Sequence, residues 1–190
     1  MGYLFLRAII LLAVPVLVFA GGAYLIGKLS DRQTVTNQLK TAPIEDKDKN
    51  PLGLRFCGYN SAAVGRHWGA LDPNALGLER RSLELDLMFP FFYGAALAGA
   101  LLCAWATLGR PLPPAWLLLP VAITVVADWI ENLVQLGQLR LFNASHEAGL
   151  QSGWIRIASA ATVTKWLFSA VASLLLIYLT VRMIVRAFRT

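Results

Sequence analysis

Three carboxylates and one amine stand in strongly apolar surroundings: Asp86, Asp128, Glu131 and Lys165. Asp128 and Glu131 are three positions apart, neighbours on one face of a helix. Such a carboxyl can act as a general acid or base, and a nearby lysine can bind an anion or tune the carboxyl's proton affinity. Tyr93, Asn132 and Thr162 add hydrogen-bonding groups of the same polar set. The chain carries no C-x-x-C, paired-histidine or H-E-x-x-H pattern, so no metal site is expected. It also lacks a nucleophile–base pair and a phosphate-binding loop, and no cofactor is expected. His67 and His146 stand singly and read as solvated loop residues.

The elements holding these groups are long apolar runs. Hydrophobic residues make up 57% of the 190 positions and charged residues 15%, and the mean hydropathy is +0.58. Soluble domains average about 45–50% apolar and about 25% charged. A soluble enzyme, a disordered chain and a disulfide scaffold are all disfavoured. Four runs, at about 4–27, 87–108, 116–136 and 157–184, each have roughly the 20 residues that cross a bilayer. The expected fold is all-α: an integral membrane four-helix bundle, one domain over 1–190, with a single long extramembrane loop at 28–83 between helices 1 and 2. The first run could also be a signal peptide with Val18-Phe19-Ala20 before the cleavage site. Its apolar character continues past that point, which favours an uncleaved anchor.

Charges inside spans cost about 2.5–3.5 kcal/mol each at mid-helix, and here they are not scattered. In span three Thr124, Asp128, Glu131 and Gln135 fall within about 80° on a helical wheel, with Asn132 beside them. Span four carries Ala158, Thr162, Lys165, Ser169 and Ser173 on one face, and span two opens with Asp86, Pro90 and Tyr93. In lipid such stripes must face one another. Measured from the long-loop side at 1.5 Å per residue, Tyr93 lies ~9 Å deep, Glu131 ~8 Å, and Asp128 and Lys165 ~12 Å. Asp86 is at the mouth. One polar cluster is therefore expected, opening toward the loop. Its three carboxylates outnumber Lys165, so a carboxyl is protonated or an arginine joins from the loops; Arg66, Arg80, Arg81 and Arg156 are the candidates.

Within the loop, Thr41–Asn50 reads as a flexible charged linker, and 51–83 is expected to hold one or two short helices. Trp116 and Trp154 read as interface anchors, Trp166 as packing beside Lys165, and Gly21-Gly22 as a point of close helix approach. The net charge of +6 is spread around the spans, as headgroup-facing basic residues are. Without a basic stripe interleaved with aromatics, nucleic acid is excluded as a partner. The expected partners are the lipid bilayer and other membrane protein subunits. Cys57 and Cys103 are too far apart for a disulfide. Arg7, Arg110, Arg182, Arg186 and Arg189 place both termini on the cytoplasmic side, while Lys28, Arg32, Arg80 and Arg81 pull the other way.

Asp86-x-x-Phe89-Pro90-x-x-Tyr93, Asp128-x-x-Glu131-Asn132 and Thr162-x-x-Lys165-Trp166, each within a span, resemble a group of small four-span membrane proteins, mostly bacterial and uncharacterised. The resemblance covers spans two to four. It implies that the cluster is one unit and favours a bacterial inner membrane over an organellar one. It carries no activity.

Three functional readings follow. The first is a non-catalytic subunit or assembly protein whose buried polar network fixes helix register. The second is an enzyme acting on a lipid or isoprenoid through Asp128, Glu131 and Lys165. The third, a proton or solute pathway, is disfavoured: the membrane half near Gly109–Pro114 offers only Cys103, Thr107, Thr124 and Ser173 as polar lining.

Overall fold

The structure is a computed structural model that describes residues 2–109 and 112–188, without the side chains of residues 2–5 and of Ala187. Arg110 and Arg189, used above to orient the chain, lie outside the described residues. All regular structure among the described residues is helical: α1 (Gly2–Leu29), α2 (Arg32–Thr41), α3 (Asp46–Lys49), α4 (Ser61–Gly69), α5 (Pro73–Asp86), α6 (Phe89–Thr107), α7 (Leu119–Ser145) and α8 (Ser152–Ala187), with short 3-10 turns at Leu52–Leu54, Ala115–Leu117 and His146–Gly149. Four helical stretches, in α1, α5–α6, α7 and α8, are long and apolar enough to cross a membrane. Their outer faces are apolar: Leu17 is 68% exposed and Leu174 65%, a surface that fits lipid rather than water.

The most extensive helix pairings are α7 with α8 and α1 with α6. Leu11 packs against the core around Leu101 and Met183, whereas Phe19 stacks on Phe89 at the opposite end of α6. The two helices are therefore antiparallel. Gly22 permits their contact, because a Cβ there would fall on the Phe89 ring, while Gly21 faces open space. Only the second of the two glycines performs the expected role.

Residues 51–83 hold two α-helices, α4 and most of α5, in line with the one or two short helices expected there, and residues 28–50 add α2 and α3. The Asn60 side chain caps α4 by accepting from the Ala63 amide, and Asp72 caps α5 by accepting from Ala75, the usual use of these residue types. Val35, Leu39, Leu52, Val64, Trp68 and Leu83 form a core with Leu136, Leu139, Phe142 and Ile155. This core also explains why α7 continues nine residues past the expected end of span three. Leu136, Leu139 and Phe142 recur at helical spacing and bury against the cap.

The 41–50 stretch departs from a free linker. Asp48 is fully buried, paired with Arg55 at 3.0 Å and Arg66 at 2.7 Å. Its charge, which read as a mark of solvation, instead anchors the segment. His67 also departs from expectation. It is fully buried in α4, its Nδ1 2.7 Å from the Asp48 carbonyl oxygen. The physical reason is the apolar face of α4, where His67 lies between Val64 and Trp68.

Candidate functional site

α5 and α6 meet at a turn at Leu87–Met88, whose backbone stays right-handed helical. Pro90 lacks the amide that would bond the Asp86 carbonyl four residues back. Asn132 Nδ2 donates to that carbonyl at 3.4 Å, and Trp129 Nε1 donates to the Leu87 carbonyl at 2.9 Å. The D-x-x-F-P-x-x-Y stretch and α7 are thus joined through two backbone oxygens, of which the proline frees that of Asp86. One helical turn beyond Pro90, Tyr93 projects into the interior and is 8% exposed.

There the expected residues meet. Lys165 Nζ donates to Asp128 Oδ1 at 2.8 Å and lies 2.6 Å from Glu131 Oε2. Tyr93 Oη donates to the other Asp128 oxygen at 2.9 Å. Gln135 Nε2 donates to Glu131 Oε1 at 2.9 Å and to Tyr59 Oη at 2.8 Å. Asp128 and Glu131 are buried, and Lys165 is nearly so. At mid-helix such charges are tolerated only when paired. Thr162 is buried beneath them, with its hydroxyl donating to its own helix at Ala158.

The 3-10 turn at Leu52–Leu54 closes the cluster from the cap side. A Cβ on Gly53 would stand 3.3 Å from Glu131 Oε1 and 3.5 Å from Lys165 Nζ. The Gly53 carbonyl accepts from Trp166 Nε1 at 3.0 Å, and Phe56 packs on the Trp166 ring. Next to the turn, Tyr59 is held by its amide, which donates to Ser159 Oγ at 2.8 Å. Burial, followed by the Glu131 charge, pushes the Tyr59 phenol up to about 12.

Beside the cluster lies a cavity of about 110 Å3, lined by residues of α1, α2, the 52–54 turn, α5, α6, α7 and α8. Asp86, Tyr93, Asp128 and Lys165 form its polar wall, while Phe19, Ile26, Leu54, Phe89 and Trp166 form its apolar one.

No family model, curated protein or solved structure matches the chain significantly. The site therefore rests on its own geometry. Asp86, Tyr93, Asp128, Glu131, Asn132, Thr162 and Lys165 come together. The four proposed arginines do not join them. Arg66 is held by Asp48, Arg80 by Glu84, and Arg81 and Arg156 are exposed. The arginine at the cavity is Arg32, at the start of α2. Tyr59, Gln135 in its bridging role, and Gly53 were also missed as site residues. Gln135 alone carried a signal, since it shares the helix face of Asp128 and Glu131. Among the described residues no group of three or more His, Cys, Asp or Glu could hold a metal ion.

Proposed function

We propose that the chain is a multi-pass integral membrane protein built as a four-helix bundle, in which residues 28–83 form an extramembrane cap. In this reading it is a non-catalytic subunit or assembly protein, and Lys165 with Asp128 and Glu131 is a structural clamp. One observation carries the reading. All four oxygens of the two carboxylates are engaged inside the protein, by Lys165, Tyr93 and Gln135. A general acid or base needs a lone pair or proton facing its substrate, whereas here every carboxylate oxygen already has a partner within the cluster and only Asp128 of the two borders the cavity. The motif resemblance supports the clamp as one unit in a bacterial inner membrane, and the basic residues Arg7, Arg182 and Arg186 support cytoplasmic termini.

The second reading, an enzyme acting on a lipid or isoprenoid, is favoured by one feature: the cavity borders Asp128 and Lys165 and has an apolar wall. The lipid profile of producing cells separates the two. Cells overproducing the wild-type chain are compared with cells overproducing the neutral triple variant Asp128→Asn, Glu131→Gln, Lys165→Met. Identical profiles support the clamp. A lipid class that changes only with the wild type supports the enzyme.

A further inference from the structure

The cavity has free charges that the clamp does not use. Among the described residues, neither the Asp86 carboxylate nor the Arg32 guanidinium has a hydrogen bond or an ion-pair partner within 4 Å; each feels the other's charge at longer range, and both line the cavity. Asp86 lends only its backbone carbonyl, to Asn132. Lys165 is committed to two carboxylates. An occupant therefore meets one unpaired negative charge and one unpaired positive charge. Arg32 and Asp86 lie where α1 gives way to α2 and where α5 meets α6. From there the wall runs inward along α1 to Phe19, ten residues before the end of that helix, or ~15 Å at 1.5 Å per residue. Phe19 is 45% exposed and Leu54 50%, and Ala23, which also lines the cavity, is exposed as well. The space of about 110 Å3 corresponds to only about three or four waters.

We propose that this cavity binds the ammonium–phosphate headgroup of a bilayer lipid of the phosphatidylethanolamine type. The carboxylate of Asp86 takes the ammonium through its N–H donors. The guanidinium of Arg32, whose planar fork matches phosphate oxygens, takes the phosphate. The acyl chains leave past Phe19 and Ala23 into the surrounding lipid. A choline head offers no N–H donor to Asp86, and a glycerol head offers no cation. The two charged contacts it uses, Asp86 and Arg32, are not members of the clamp, although Asp128 and Lys165 share the cavity wall, so the proposal holds whether the clamp is structural or catalytic.

The test is native mass spectrometry of the full chain released from nanodiscs of equal phosphatidylethanolamine and phosphatidylglycerol. The wild type should retain phosphatidylethanolamine in preference. Asp86→Asn should reduce that preference about tenfold, the loss of one charge-assisted contact. Arg32→Gln should weaken retention of both lipids, and Lys28→Gln, at a similar level but off the cavity wall, should change neither. Ala23→Phe blocks the rim without altering charge and keeps the test valid if Asp86→Asn fails to fold; it should lose the bound lipid at an unchanged melting temperature. Equal retention of the two lipids by the wild type, or a preference that survives both Asp86→Asn and Ala23→Phe, overturns the proposal. The clamp is judged on its own, by the unfolding of Lys165→Met in detergent without reference to lipid preference, so failure of the clamp and failure of this site read out separately.

Discussion

The indole N–H of Trp166 donates to the carbonyl oxygen of Gly53 across 113 positions of sequence, at 3.0 Å. The cap is thereby fastened to α8 one residue beyond Lys165, and the 52–54 turn sits directly on the ion cluster. A Cβ at Gly53 would press on Glu131 Oε1, which must give by a few tenths of an ångström, and would touch Lys165 Nζ, so a branched side chain crowds both. Gly53→Val should lower stability by about 1–3 kcal/mol, the usual cost of overpacking. Thermal unfolding in detergent measures it, and an unchanged midpoint would mean that the turn does not close the cluster.

Asp48 fixes the cap from its other side. Its side chain is 1% exposed and that of its partner Arg55 is 9%. Asp48→Asn leaves a largely buried guanidinium uncompensated, a loss of about 3–5 kcal/mol. Limited proteolysis should then cleave within 41–50 much faster than in the wild type. Equal cleavage rates would show that the segment is free in both.

Acid should loosen the same region. Burial holds the His67 imidazole below its ordinary value of 6.5, against the opposing pull of Glu79 and of the Asp48 carbonyl, with Arg55 adding to the lowering. A base depressed in the fold binds its proton more readily when unfolded. Its contribution is therefore present above about pH 6.5 and lost as the pH falls below that value. His67→Gln should flatten the fall in cap stability below pH 6.5, followed by hydrogen exchange of α4. A fall of the same size in the variant would assign it to other groups.

The clamp was legible because its signals are local. Asp128 and Glu131 share a face by their spacing, and Tyr93 and Lys165 match them in depth by counting residues from the span ends. Four apolar runs of bilayer length were legible for the same reason. The cap was not. Asp48 and His67 acquire their roles from contacts with other segments, and Arg32 from its place on a cavity wall built by several helices. A charged stretch such as 41–50 looks the same whether it is solvated or anchored by a single buried pair. The continuation of α7 was readable in the period of Leu136, Leu139 and Phe142, but the polar residues between them, such as Gln138 and Arg140, suggested a loop. The supporting arginines were misassigned because nearness to a span in sequence does not fix the direction of a side chain.

The proposed arrangement in the bilayer has a direct check. With Cys57 and Cys103 replaced, single cysteines at Lys47 and Phe188, both well exposed, should react with membrane-impermeant reagents from opposite sides. Labelling from the same side would contradict a cap separated from the C-terminus by the membrane.

The clamp itself is tested most directly by unfolding in detergent. Lys165→Met strands two buried carboxylates and should cost roughly 3–5 kcal/mol. The triple variant Asp128→Asn, Glu131→Gln, Lys165→Met has no buried charge left in the cluster and should recover most of that loss. A single Lys165→Met variant as stable as the wild type would contradict the clamp.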